Sequence, residues 1–244
     1  MTKVERVRIA LLSTLGAILV VVIGYSTLYA LNLVPGWGTS TERSFITLDR
    51  PKKTEPIEVV EFFSYACPHC ANLEPMLDGW VAGLGENVEF KRVHIAIDTL
   101  TTRLARTYLV LESQDLLEQN HRRIFDAIHE RNITFLNDQQ LAEFMHGRGI
   151  ESDRFLSALN GRFVSRSVES NRQLAIDTRT LGVPALLIAN KYQVTARGGN
   201  RQMLATADWL VEEIQAGRDP SVQAEDPSTT DSDADSSETT DETS

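Results

Sequence analysis

Three residues separate a run that can only be comfortable as a buried strand, Ile57-Glu-Val-Val-Glu-Phe-Phe63, from the only two cysteines of the chain, in Cys67-Pro68-His69-Cys70. β-Branched and aromatic residues dominate the run, and a helical pattern begins at the cysteines, where Pro68 suits a first turn because the N–H it lacks has no partner there anyway. Val88-Glu-Phe-Lys-Arg-Val-His94 then reads as a second strand, so the unit is strand, helix, strand, and its crossover implies a parallel pair. A chain committed to that unit builds an α/β core. Two cysteines also exclude a disulfide scaffold and a self-contained Cys₄ zinc site.

The pattern changes after His94. Through Leu104, Tyr108 and Leu111, then Ile124, Phe125 and Ile128, then Leu141, Phe144 and Met145, then Phe155, Leu156 and Leu159, apolar residues recur at helical spacing. Asn137 and Gln140 have the spacing of a capping box, and Gly147 and Gly149 close the helix between. Strand signals return in Ala185–Ile188 and Tyr192–Thr195, joined by Ala189-Asn190-Lys191, and a last helix lies near Met203–Gln215. A crossover needs only about 10–12 residues, so the 89 residues between His94 and Pro184 are a helical block set into an α/β unit.

Both ends differ from this body. Ile9 to Leu33 is free of charge and would span about 37 Å as a helix at 1.5 Å per residue, enough to cross a membrane. Lys3, Arg6 and Arg8 precede it against Glu5, and the first cation beyond is Arg43, which places the amino terminus in the cytoplasm. A cleaved signal peptide is the competing reading, but its apolar core is about 7–15 residues, and Ser26 to Ala30 match a cleavage site poorly. Val34 to Thr41 reads as a linker. From Asp219 to Ser244 there are nine acids and no Lys or Arg, and this tail, mostly Asp, Glu, Ser, Thr and Pro, is expected to stay solvated with no site of its own. Removing those nine from the formal charge of −10 leaves −1 for the remainder, which excludes a phosphate-binding surface and hence nucleic acid as a partner.

The Cys-x-x-Cys pair carries the chemistry. The first sulfur lies where free N–H groups and the helix dipole favour a thiolate, and His69 adds a donor or a positive charge between the two. Half of a zinc or copper site, completed by His94, His121 or another chain, is a rival reading. A haem attachment is another, but Ala71 stands where Cys-x-x-Cys-His needs histidine. Glu61, six residues upstream on the strand, is the nearest candidate for a buried carboxylate. His94, His121, His129 and His146 have no motif around them and are expected to be structural or solvated.

Glu61-Phe-Phe-Ser-Tyr-Ala-Cys-Pro-His-Cys70, the helical block, and Leu181-Gly-Val-Pro-Ala185 followed by Asn190-Lys-Tyr-Gln193 resemble, in order, the DsbA-type thiol:disulfide oxidoreductases of the bacterial envelope. The resemblance spans about Phe45 to Ile214. Pro-His between the cysteines is specific, since thioredoxin-like reductases usually carry Gly-Pro after a Trp. It implies a thioredoxin fold with an inserted α-helical domain, preceded here by an N-terminal transmembrane helix. The expected organisation is 1–33 cytoplasmic stub and anchor, 34–43 linker, 44–98 and 177–218 the two parts of the thioredoxin fold, 99–176 the insertion, and 219–244 the acidic tail.

The same resemblance implies roles. Cys67 is the nucleophile and Cys70 the buried resolving thiol of a redox-active disulfide, with Pro68 and His69 between them. Pro184 is a cis proline, Val183 offers its backbone to an extended substrate, and Glu61 handles the proton. No cofactor or metal is called for. The implied activity is donation of the Cys67–Cys70 disulfide to reduced exported polypeptides, with re-oxidation by a DsbB-type quinone-linked membrane oxidase. The catalytic domain would face the periplasm, held to the inner membrane by residues 9–33. A reductase or isomerase using the same cysteines, and a tethered metal-binding or chaperone module, are the alternatives.

Overall fold

The structure is a computed structural model that describes residues 12, 14–22, 24 and 43–223. Most of the uncharged run Ile9–Leu33 lies outside these. Residues 14–22 are helical, and no helix among the described residues is long and apolar enough to cross a membrane.

From Arg43 onward the chain builds one five-stranded sheet. Its strands are β1 (Phe45–Thr47), β2 (Ile57–Phe63), β3 (Val88–His94), β4 (Ala185–Ile188) and β5 (Tyr192–Thr195), in the order β1-β5-β4-β2-β3. β2 and β3 run parallel, with Glu61 opposite Arg92, while β4 and β5 return antiparallel on the other side. The last four strands coincide with the segments read from sequence. β1 does not, because three residues, Phe-Ile-Thr, are too short to carry a pattern and become a strand only by pairing with β5 at the edge.

β2 is buried on both faces and divides its side chains between two layers. Ile57 and Val59 meet Leu73 and Leu77 of α1 (Pro68–Ala82) and the apolar face of α7 (Asn200–Gln215). Val60 and Phe62 meet the opposite layer, with Val93, Ala185 and Leu187. Burying each such side chain is worth about 1.5–3 kcal/mol, so the position of β2 is heavily determined.

Between the two halves of the sheet lie α2 (Thr99–Ser113), α3 (Leu117–His129), α4 (Asp138–Met145), α5 (Ser152–Leu159) and α6 (Arg162–Asp177). Asp98 caps α2 through a reciprocal box with Thr101. Asn137 caps α4 by accepting from Gln140 N–H, while Gln140 Oε1 accepts from Leu136 N–H, one residue earlier than a standard box would have it. Gly149, at φ +92°, sits so close to Leu116 that a Cβ there would lie 2.5 Å from its Cδ2. α6 joins the layers: Val164 and Val168 belong to the helical core, Leu174 and Ala175 to the sheet.

The sequence reading starts the tail at Asp219, but packed structure continues to Gln223. Tyr192 donates its hydroxyl to Asp219 (3.0 Å), Asp219 also accepts from Ser221 N–H, and Pro220 is buried at the start of a short helix, α8 (Pro220–Gln223). The hydroxyl of Tyr192 and the burial of Pro220 tie the start of this segment to the body. Residues 224–244 lie outside the described part.

Candidate active site

α1 begins with Cys67 as its N-cap and Pro68 as its first residue, and no side chain caps it. Its free N–H groups are therefore turned toward the cap sulfur. Cys67 is half-buried, Pro68 and His69 are exposed, and Cys70 is fully buried in the core of the helical insertion. Both cysteines are thiols. The Cys67 thiol is held down to about 6, first by a hydrogen bond from the Cys70 thiol, which outweighs the effect of partial burial. The N–H groups of Cys70 and His69 add to this, and the charge of His69 contributes least. The Cys70 thiol is pushed far up, by donating to Cys67 and by burial. So three residues of separation give two opposite thiols.

The loop before β4 closes the site. The Val183–Pro184 peptide is cis, and Cys67 Sγ donates to the Val183 carbonyl at 3.5 Å. Pro184 is buried, and His69, Val183 and Pro184 share the wall of one groove. Sequence positions 67 and 183 are thus brought into contact by the fold, as the family resemblance implied.

Glu61 is 0% exposed and points from β2 toward α1. Its carboxyl is pushed up to about 8, chiefly by burial and then by the charge of Glu74, and Arg92 offsets this only in part. The ion pair explains why. Arg92 Nε donates to Glu61 at 3.0 Å while Nη2 donates to Glu74 at 3.2 Å and to Asp78 at 3.2 Å. One guanidinium cannot hold two buried carboxylates equally. Burial works against Glu74 too, but His121, with Nε2 3.3 Å from Glu74 Oε2, and Arg92 together keep it below the usual carboxylate range. Glu74 therefore keeps its charge and Glu61 takes the proton. Although His121 Nε2 is within ion-pair distance of Glu74, it is off the hydrogen-bond line. Like Glu61 Oε1 and Glu74 Oε1, it is buried without a hydrogen bond in line.

Tyr65, two residues before Cys67, is held by three histidines. Its N–H donates to His94 Nε2 (3.0 Å), its carbonyl accepts from His129 Nε2 (2.8 Å), and its hydroxyl meets His121 Nδ1 (2.7 Å). His94 also donates from Nδ1 to the Ile95 carbonyl at 2.7 Å. Accepting on one nitrogen and donating on the other makes it neutral, and burial lowers its pKa to about 3. Both its nitrogens are taken, so it is closed to the metal reading, and no group of three potential ligands gathers among the described residues. His146 stands apart, exposed beside Glu151.

Sequence reasoning missed Tyr65, Glu74 and Arg92, and left three histidines without a role. For Arg92 a signal existed: a strong cation in a run that otherwise reads as strand needs a buried partner, and parallel pairing sets it opposite Glu61. For Glu74 and the histidines there was none, because their partners are distant in the chain.

Residues 58–208 match the family model described as the DSBA-like thioredoxin domain. The thiol:disulfide interchange protein DsbA of Azotobacter vinelandii is 36% identical over 164 residues, 66% of this chain and 77% of that protein. The crystal structure of Pseudomonas aeruginosa DsbA superposes with a TM-score of 0.68 at 29% identity, covering 72% of this chain and 94% of that one. The oxidoreductase DsbA from Xylella fastidiosa gives 0.67 at 30% identity, covering 70% and 95%.

Proposed function

Because this chain belongs to the DsbA-like family of thioredoxin-fold thiol:disulfide oxidoreductases, we propose that it works as an oxidase, donating its Cys67–Cys70 disulfide to reduced polypeptides after their export. The observation that carries this reading is the contrast between the sulfurs: Cys67 partly open with its pKa lowered to about 6, Cys70 buried with its pKa raised.

In the forward direction a substrate thiolate attacks Cys67 Sγ. The Cys67–Cys70 bond breaks, a mixed disulfide forms on Cys67, and Cys70 departs with the electron pair. Its high proton affinity means that it takes a proton, and Glu61, neutral in its buried setting, is the group that can give one. A second substrate thiolate then attacks the substrate sulfur of the mixed disulfide. A substrate disulfide forms and Cys67 leaves as a thiolate. Two substrate thiols are oxidised, two protein thiols result, and a thiolate held at low pKa is a good leaving group. The Val183 backbone at the mouth of the site supplies peptide groups with which an extended substrate could pair. Thiols alone carry the electrons, so no cofactor is required.

Continued turnover needs a partner to re-oxidise the pair, for which a DsbB-type quinone-linked membrane oxidase has the right chemistry. The uncharged run of residues 9–33, with its flanking cations, supports a single-pass inner-membrane anchor that leaves the catalytic domain in the periplasm. The test is a redox titration against a glutathione buffer, together with an assay of disulfide formation in a reduced, unfolded protein. An oxidising potential with stoichiometric disulfide transfer supports the oxidase. A potential near that of thioredoxin, about −270 mV, would assign the same cysteines to a reductase.

A further inference from the structure

The groove beside Cys67 encloses about 620 Å³, and no Asp or Glu lines it. Residues 1–218 sum to −1, so the groove's lining is more positive than the body that carries it. Two arginines line it instead. Arg179 lies in the turn after α6 and Arg197 in the short 3₁₀ turn after β5, and both are exposed without an ion pair among the described residues. Arg179 occupies a left-handed conformation, φ 52°, and its turn is tied to β5 because Gln193 donates to the Thr178 carbonyl and to Thr180 Oγ1 (2.8 Å). The base of Arg179 is therefore fixed. Between the cations the wall is apolar and open: Leu181 is 97% exposed and Ile46 49%.

From this juxtaposition we infer that Arg179 and Arg197 determine specificity, so that the groove prefers reduced polypeptide segments carrying acidic side chains next to the reacting cysteine, alongside an apolar residue for Leu181 and Ile46. The inference rests on Cys67–Cys70 acting as a disulfide donor. At physiological ionic strength charges more than about 8 Å apart are largely screened, so the two arginines that line the groove act directly on a substrate held in it. A positive field at the mouth also raises the local concentration of the attacking thiolate.

The test uses the full-length oxidised chain and two reduced peptides, each with a cysteine pair and one leucine. They differ only in carrying two Asp or two Lys within three residues of the first cysteine. The Asp peptide should show a kcat/KM about three- to tenfold higher at low salt, with the ratio falling toward one near 1 M salt, where the screening length is about 3 Å. The chain's own acidic residues 224–244, if they compete for the groove, slow both peptides alike and leave this ratio unchanged. Arg179→Glu with Arg197→Glu should invert the preference. Arg179→Asn, suited to the left-handed backbone, with Arg197→Gln should bring the ratio near one. Equal rates at low salt, or a ratio that the variants do not move, overturns the inference while the oxidase reading stands. If neither peptide is oxidised, both fall.

Discussion

The first turn of α1 has a front and a back. At the front, Cys67 borders an open groove with His69, Val183 and Pro184, and its proton affinity is set by hydrogen bonds from Cys70 and the backbone. At the back, Cys70 is buried in the core, its proton held first by donation to Cys67 and then by burial, while burial is the leading cause at Glu61. One helical turn thus separates a half-exposed sulfur from a fully buried one. What the contrast teaches is that reactivity here comes from asymmetry. A pair of equally exposed thiols would trap substrates as readily as release them, whereas one thiolate and one stubborn thiol give the exchange a direction.

The largest effect should come from removing either member of the pair. Cys67→Ser should abolish disulfide transfer, a loss of more than about a thousandfold. Cys70→Ala can carry no disulfide of its own, but its Cys67 thiolate should attack a disulfide already present in a partner, releasing one partner thiol and leaving a mixed disulfide that no Cys70 resolves, visible as a reducible adduct on a non-reducing gel. If both variants behaved alike, front and back would be equivalent.

Next in size is the charge at the back. Arg92→Met leaves the charged, buried Glu74 without its cation and should cost about 3–5 kcal/mol, read from denaturant melts at pH 7. Adding Glu74→Gln to that variant should restore part of the loss, because Glu74 is the member of the pair that keeps its charge, whereas adding Glu61→Gln should restore little, since Glu61 is already protonated.

The front should reveal itself to an alkylating agent. Below pH 7 a thiol near 6 keeps far more thiolate than a free cysteine near 8.5, and its lower nucleophilicity removes only part of that advantage. At pH 5.5 Cys67 should react about tenfold faster than free cysteine, with an inflection near pH 6, while Cys70 stays silent. Equal labelling of both, rising near pH 8.5, would refute the asymmetry.

The smallest effect is thermodynamic. Folding lowers the Cys67 pKa, so the thiolate stabilises the reduced form above the unfolded value and that contribution fades as pH falls through about 6. Between pH 5 and pH 7 the stability of the reduced form relative to the oxidised form should rise by about 1 kcal/mol, a figure reduced because Cys67 is only half-buried. Groups that titrate in both forms largely cancel in that difference. Melts of the two forms showing the gap moving the other way would count against a stabilised thiolate.

What could be read without coordinates was what is local in the chain. Short runs rich in β-branched, aromatic and other apolar residues marked β2, β3, β4 and β5, helical spacing marked the insertion, and Cys-Pro-His-Cys marked the first turn of α1, since each of these signals involves residues a few positions apart. Pairing across the chain left no such trace. β1 is a strand only because β5 offers it an edge, and Asp219 to Gln223 pack only because Tyr192 and the body are there to receive them. His94, His121 and His129, each alone in sequence, meet at Tyr65, where each must satisfy a different polar atom that burial would otherwise leave stranded.

The sequence therefore pointed to the kind of chemistry, because two cysteines three apart at a helix start favour a redox pair and the Pro-His between them carries the family resemblance. It sufficed for the α/β frame, since strand composition and helix spacing are local as well. The electrostatics belonged to the fold. Whether Glu61 is charged depends on Arg92 being divided between it and Glu74, and the Cys67 proton depends on how the buried Cys70 thiol points. Those energies are set by distance and by the exclusion of water, quantities that exist only once the two faces of α1 have been packed against different surroundings.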